Sequence, residues 1–196
     1  PGEPGERTQG ASGCTPRTRD SKPGNDGIQT KRGAVSDKRG KVVSYTNTSE
    51  ELGGSGIVVP GRGFLLNNEL TDFSAAPTQG SAFDPNLPAP GKRPRSSMSP
   101  TIVLRDGKLD FAVGSPGGAP IITTVLQILP DHVDFGMSLP DSIAAPRVSQ
   151  RNAAASEAEP AFASSALARQ LTNRYGEKFT TVTGPVLPLQ DHIGNA

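Results

Sequence analysis

Leu109-Asp110-Phe111-Ala112-Val113 leads into Gly114-Ser115-Pro116-Gly117-Gly118-Ala119-Pro120, and then into Ile121-Ile122-Thr123-Thr124-Val125-Leu126-Gln127-Ile128-Leu129. The stretch reads as a strand, a tight glycine turn and a buried helix. Leu109, Phe111 and Val113 alternate with smaller or polar residues, as a strand requires. Gly117 and Gly118 lack a Cβ, so the backbone there can take positive φ and approach a ligand closely. Pro120 suits the first turn of a helix, where a missing N–H costs nothing. Such a turn presents free backbone N–H groups at the positive end of a helix dipole. It is a place for negative charge, either a bound phosphate or an oxyanion formed during a reaction.

Upstream, Asp106-Gly107 has hairpin-turn chemistry and folds the opening strand back onto Thr101-Ile102-Val103-Leu104-Arg105. Residues 78–94 are a long loop rich in Pro, Gly and Asn, of the kind that serves as a lid or binding loop. Asn67-Asn68-Glu69-Leu70-Thr71-Asp72-Phe73 holds two carboxylates three residues apart. One helical turn or a loop points them the same way; a solvated turn is the competing reading. Ile57-Val58-Val59 and Phe64-Leu65-Leu66 read as short strands around a Pro60-Gly61 turn, and Gly53-Gly54-Ser55-Gly56 as a flexible loop. Lys41-Val42-Val43-Ser44-Tyr45-Thr46-Asn47-Thr48 is a strong strand, with Val43 and Tyr45 facing opposite to Ser44, Thr46 and Thr48. Asp37-Lys38-Arg39-Gly40 joins it to a strand over 30–36.

Downstream, residues 141–145 read as a short helix, with Leu139-Pro140 before it and Pro146 stopping it. Pro130 sits where the opening helix should continue, and an interior Pro costs about 3 kcal/mol. A strand over 147–150, a helix over 164–175 ended by Gly176 and a strand over 179–182 complete the order. Strands, then helices, then a strand imply an α+β layered domain with largely antiparallel pairing.

At 196 residues the chain is one domain, or one domain with a tail. Residues 1–27 contain no Val, Ile, Leu, Met, Phe, Tyr or Trp and cannot bury enough apolar surface to offset their ordering entropy. They read as a disordered linker or tail, with the domain spanning 28–196. Lys+Arg 20 against Asp+Glu 19 gives a net charge of +1, which supplies no reason for a nucleic-acid partner. There is no apolar run near 18 residues and so no membrane span. The single Cys14 rules out an internal disulfide. Neither a signal peptide nor an initial Met is present, which reads as a mature or truncated piece.

His132 and His192 are sixty residues apart and lack partners at ligand spacing, so no metal site is expected and both read as surface histidines. No G-x-S-x-G elbow exists for a serine triad, and the Lys-Ser/Thr that follows a phosphate loop is absent after Gly118. What is left is a nucleophile carrying its own base. An amino-terminal Thr has an α-amine with a pKa of about 8, partly neutral at working pH, which can take the hydroxyl proton. Thr30 opens the first strand directly after the apolar-free tail, so Gln29-Thr30 is a plausible cleavage junction.

These residues carry a resemblance. From about 28 to 194 the chain resembles the small, catalytic subunit of γ-glutamyltranspeptidases, N-terminal-nucleophile hydrolases that cut themselves into a large and a small subunit. The matching pieces include Val35-Ser36-Asp37-Lys38, Val43-Ser44-Tyr45-Thr46, Gly54-Ser55-Gly56-Ile57, Gly63-Phe64-Leu65-Leu66-Asn67-Asn68-Glu69, Asp72-Phe73-Ser74, Gly91-Lys92-Arg93-Pro94, Ser96-Ser97-Met98-Ser99-Pro100-Thr101-Ile102 and Gly114-Ser115-Pro116-Gly117-Gly118. The wording is most similar to actinobacterial members.

The resemblance implies an αββα sandwich, here incomplete, with the large-subunit part and the last strand missing. It implies γ-glutamyl transfer or hydrolysis, on glutathione and γ-glutamyl amides, through an acyl-enzyme on Thr30 formed after autoproteolysis. Thr48 matches the second threonine that supports Thr30, and Gly117 and Gly118 match the oxyanion hole. Glu69 and Asp72 match the acidic pair that holds the α-ammonium, and Ser96 and Ser97 the hydroxyls on the α-carboxylate. Glu50 stands where many members have a substrate-contacting Asn. The family's Thr-Thr-His is Thr30-Lys31-Arg32 in this chain. No cofactor is implied. The implied partners are a large subunit from the same precursor and water, an amino acid or a peptide as acceptor, and the implied location is the cell envelope or outside. The isolated chain is expected to be inactive or weak. A glutaryl-type amide acylase of the same superfamily and a non-catalytic fragment or binding subunit are the alternatives.

Overall fold

The computed structural model describes residues 30–78, 80 and 83–182. The tail over 1–27, Gln29 of the cleavage junction and His192 lie outside the described residues. Two hairpins come first. Strands β1 (Lys31–Ser36) and β2 (Val42–Asn47) pair antiparallel, Lys31 opposite Asn47 and Ser36 opposite Val42. The turn forms because the Asp37 carboxylate accepts both the Arg39 and the Lys41 N–H at 2.9 Å, while Gly40 supplies a φ of 77°. Strands β3 (Thr101–Arg105) and β4 (Lys108–Val113) pair the same way. Asp106 and Gly107 close that hairpin at φ 52° and 76°, the double positive φ a two-residue turn of this hand needs.

Helix α1 (Ile121–Val133) follows the glycine turn, and α2 (Leu139–Ala144) packs against it. Phe111 and Val113 of β4, with Ile121, Val125 and Ile128 of α1, form the buried core, flanked by Val103, Leu129, Leu139 and Ile143. The buried stripe of α1 follows helical spacing. The helix is therefore buried on one face only, contrary to the sequence reading: Leu126 is 61% exposed and Ile122 51%. Pro130 does not end α1. The bond it cannot donate would go to Leu126, a residue open to water, and its own carbonyl accepts the Asp134 and Phe135 N–H at 2.9 and 3.0 Å. His132 is half-buried rather than fully at the surface; its ring meets Phe111 edge-on at 4.9 Å, and Nδ1 lies 2.7 Å from the Met137 carbonyl.

The last part is a three-stranded sheet of very short strands, β5 (Val148–Ser149), β6 (Ser156–Ala158) and β7 (Phe179–Thr181). Strand β6 pairs antiparallel to β5 but parallel to β7, with helices α3 (Pro160–Ala163) and α4 (Ala166–Tyr175) between them. Neither β6 nor α3 is foreshadowed by the sequence, because three or four residues are too few to show a period. Ser165 caps α4 by accepting the Ala168 N–H at 3.0 Å, and Gly176 ends it in the left-handed conformation.

Three further expectations are corrected. Leu139 and Pro140 lie inside α2, not before it, because Ser138 caps the helix and Pro is tolerated in its first turn. Residues 57–59 and 64–66 make a single bridge, Val58 with Leu65, and not two strands. Pro60 has no N–H to give, and Gly61 and Gly63 at φ 71° and 73° turn the chain away too soon. The 53–56 loop is a hydrogen-bonded turn, with Ser55 N–H on the Leu66 carbonyl at 3.0 Å and Gly56 N–H on that of Gly53 at 2.9 Å. Among the described residues no helix is long and apolar enough to cross a membrane.

Candidate active site

The hairpin β1–β2 puts its polar face inward. Val43 and Tyr45 are 59% and 50% exposed, while Ser44 and Thr46 on the opposite face are half-buried. The Ser44 hydroxyl reaches the Val113 carbonyl at 3.4 Å, which ties β2 to the end of β4 and the start of the glycine turn. One register step beyond Lys31–Asn47, Thr30 lies across from Thr48. Thr30 is buried, at 6% exposure, and the two hydroxyl oxygens are 3.0 Å apart. The Thr48 oxygen also accepts the Glu50 N–H at 2.9 Å. A hydroxyl with one lone pair so occupied keeps a proton to give and a lone pair to receive, and serves Thr30 in either direction.

From Thr48 the network continues without a break. Glu50 takes a φ of 71°, unusual for a residue with a Cβ, and its carboxylate accepts the Thr71 hydroxyl at 2.9 Å. Asn68 stitches this segment to the next, donating its N–H to the Ser49 carbonyl at 3.1 Å and accepting the Glu51 N–H on Oδ1 at 3.0 Å. Asn67 Oδ1 takes the Glu69 N–H at 3.1 Å. Residues Glu69–Asp72 then form one turn of 3-10 helix. Its three-residue period eclipses positions i and i+3, so Glu69 and Asp72 share a side and the charge of one bears on the other.

Three carboxylates thus crowd one place. The Glu69 pKa is raised, first by partial burial, then by the nearby charges of Asp72 and Glu50. The Glu50 pKa is raised by partial burial too; the Thr71 hydrogen bond opposes this, and Asp72 and Glu51 add to it. Such a cluster is relieved by a cation, and an ammonium group with several donors fits it. Beside it, Leu70, Thr71, Phe73, Ala75, Pro90 and Lys92 line an open cleft of about 780 Å³.

Ser96 and Ser97 lie in the extended segment before β3. The Ser97 hydroxyl donates to the Gly118 carbonyl at 3.0 Å, holding this segment on the glycine turn. Ser96 Oγ accepts the Met98 N–H at 3.3 Å. Gly117 has a φ of 132°, as the turn requires of a residue without a Cβ. The Gly118 carbonyl accepts the Ile121 N–H at 3.1 Å and opens α1. Thr30, Thr48, Glu50, Glu69 and Asp72 are therefore one connected group, and Ser97 and Gly118 are joined in a second. Among the described residues no hydrogen bond links Thr30 to Gly117 or Gly118. Asn68, Thr71 and Asn86 were not singled out from the sequence. Asp84-Pro85-Asn86 is a turn signature inside the long loop and was the available signal for the last of these.

The family model for Gamma-glutamyltranspeptidase matches residues 6–187, beginning within the tail. The chain is 44% identical, over 153 residues, to a glutathione hydrolase proenzyme of Bacillus subtilis, covering 78% of this chain and 25% of that protein. It is 36% identical over 125 residues to the acylase ACY 1 proenzyme of a Pseudomonas species, covering 64% of this chain and 22% of that one. The chain spans about a quarter of the length of the curated relatives it matches. A crystal structure of a Helicobacter pylori γ-glutamyltranspeptidase mutant superposes with a TM-score of 0.67 at 38% identity, covering 80% of this chain and 86% of that one. These structural neighbours are N-terminal-nucleophile hydrolases, and the mixed α/β architecture agrees with theirs.

Proposed function

This chain belongs to the γ-glutamyltranspeptidase family, and we propose that it carries the catalytic half of an enzyme that transfers γ-glutamyl groups from glutathione and other γ-glutamyl amides to water, amino acids or peptides. The observation that carries the reading is the buried Thr30 hydroxyl, 3.0 Å from that of Thr48, at the head of a network that ends in the Glu50, Glu69 and Asp72 carboxylates.

In this reading Thr30 Oγ1 first attacks the carbonyl of Gln29; the peptide C–N bond breaks, the acyl group passes to Oγ1 as an ester, and water hydrolyses that ester, which cuts the precursor and leaves Thr30 with a free hydroxyl and a free amine. The α-amine so freed then takes the proton of the Thr30 hydroxyl as the oxygen adds to the γ-glutamyl carbonyl. The N–H groups of Gly117 and Gly118 receive the tetrahedral oxyanion, a contact that exists only once negative charge has formed. On collapse the carbon–nitrogen bond breaks, the leaving amine takes the proton from the Thr30 ammonium, and an ester remains on Oγ1. Water or an acceptor amine reverses the sequence. Glu69 and Asp72, with Glu50 beside them, hold the substrate's α-ammonium, and Ser96 and Ser97 its α-carboxylate.

Residues 28–196 are the small-subunit domain in this proposal, and the rest of the same precursor is the partner that completes an αββα sandwich. The exposed Val35, Val43 and Tyr45 face of the first hairpin gives that partner an apolar surface to cover. The likeness to an acylase proenzyme keeps a glutaryl-type amide as the second reading. Three crowded carboxylates favour a substrate that brings an ammonium, which a glutaryl group lacks.

The test is Thr30→Ala in the full-length protein. It should abolish both the self-cleavage seen on a denaturing gel and the release of p-nitroaniline from γ-glutamyl-p-nitroanilide. Processing and turnover at the wild-type level would remove Thr30 as the nucleophile.

A further inference from the structure

The long loop before β3 has no strand or helix of its own among the described residues, yet two of its side chains tie it down. Asp84, 4% exposed, accepts the Asn86 N–H at 2.8 Å, the Thr78 hydroxyl at 2.8 Å and the Thr78 N–H at 3.1 Å. These bonds, that from Asn86 foremost, hold its carboxyl down to about 2. The bond to Asp84 Oδ1 holds the Asn86 backbone, and the Asn86 side chain reaches in two directions. Its Nδ2 donates to the Asp72 carbonyl at 2.7 Å and to Ser74 Oγ at 3.3 Å, and its Oδ1 accepts the Arg95 N–H at 2.8 Å. The partners settle the amide's orientation, since a carbonyl needs a donor and an N–H an acceptor. The Asn86 carbonyl also accepts the Ser74 N–H at 3.0 Å.

Asp72 belongs to the carboxylate cluster, and Arg95 immediately precedes Ser96 and Ser97. Asp72 and Ser96 are twenty-four positions apart along a loop, so no helix or strand fixes their separation. We propose that Asn86 is a positioning residue, a strut that sets the distance between the subsite for the substrate's α-ammonium and the subsite for its α-carboxylate. The inference rests on the function proposed above. A γ-glutamyl group carries both charges on one carbon, so a site that reads both must hold its two halves at one spacing. A ligand with only one of the charges is indifferent to that spacing. The strut therefore governs selectivity for α-amino acid substrates and takes no part in the bond-breaking steps.

The experiment compares γ-glutamyl-p-nitroanilide with glutaryl-p-nitroanilide, which keeps the carboxylate and lacks the amine, on the full-length processed enzyme. Asn86→Asp keeps the acceptor for Arg95 and removes both Nδ2 donors. It should raise KM for the γ-glutamyl amide about tenfold, with kcat and the glutaryl KM within about twofold of wild type. Asn86→Gln, with the same amide one methylene further out, should shift the same ratio and is a second route should the aspartate variant fail to fold. Thr78→Val loosens the loop at Asp84 without cutting the strut and should leave both substrates alone. Equal losses on the two amides, no loss on either, or the same pattern from Thr78→Val would overturn the strut while leaving the function intact. If the wild-type enzyme turns over neither amide, the function falls and the strut with it.

Discussion

Replacing Thr48 by valine keeps the shape of the side chain and removes its hydroxyl. Two hydrogen bonds end on that oxygen, one with Thr30 at 3.0 Å and one from the Glu50 N–H at 2.9 Å. Thr30 is buried, so water does not readily take the vacated place. As the Thr30 oxygen gives up its proton it gains negative charge, and a donor from Thr48 strengthens at that moment. A hydrogen bond to a charged group contributes about 1.5–3 kcal/mol, which is roughly ten- to 150-fold in rate. Thr48→Val in the full-length protein should slow self-cleavage and the single-turnover release of p-nitroaniline by that factor. Thr48→Ser, which keeps the hydroxyl, should stay close to wild type. The stranded Glu50 N–H adds a stability loss of about 1–3 kcal/mol, and a thermal melt separates it from the chemical effect. Wild-type rates in Thr48→Val would refute the assignment. So would equal losses in valine and serine variants, which would point to the methyl group and packing.

Glu69→Gln should raise KM for γ-glutamyl-p-nitroanilide more than for the glutaryl amide, because it removes charge only from the proposed ammonium subsite; equal effects on both would count against that subsite. The same variant bears on stability. Glu69 has a folded-state pKa above its ordinary 4.5, so its contribution to stability is full below that value and is lost as pH rises through the raised pKa. Glu69→Gln should therefore raise the melting temperature of the ligand-free enzyme at pH 7 and change it less at pH 4; a uniform shift would contradict the charge crowding. Gly54→Ala should be strongly destabilising in a melt, since the new Cβ would stand 2.2 Å from the Leu66 carbonyl oxygen at a φ of 52°; a melt unchanged within a degree would show that the turn can shift at little cost.

The hairpins were legible because their turns are written in short, local chemistry: Asp37 to Gly40 fixes a register that β1 and β2 follow throughout, and Asp106-Gly107 one that slips by a residue only between Val103 and Leu104. Helix α1 was legible in place but not in depth. Its apolar residues run almost all round, and only packing decides that Ile121, Val125 and Ile128 go in while Ile122 and Leu126 stay out. The pairing of Glu69 with Asp72 could be read from their spacing, whereas the closure of that pair onto Glu50 depends on Asn68 and Thr71, whose bonds join segments about twenty residues apart. Polar contacts of that range have no period and leave no local signature. Strand β6 and its parallel pairing with β7 were hidden for the same reason.

Strand β2 shows how a pattern can be read correctly and still mislead about burial. Alternation separates Val43 and Tyr45 from Ser44, Thr46 and Thr48, and hydrophobicity alone would turn the first pair inward. The described residues have it the other way round. The inward face is where Ser44 meets Val113 and Thr48 meets Thr30, so the polar side is the side that builds the site. Between those two, the Thr46 hydroxyl is buried without a hydrogen-bond partner among the described residues. A lone buried hydroxyl of that kind costs about 1–3 kcal/mol, and an exposed Val43–Tyr45 face is unfavourable in water as well. Both penalties lie on one strand, and the second falls when another surface covers the Val43–Tyr45 face. In the function proposed above, the strand carries its chemistry on one face and offers the other to the partner subunit.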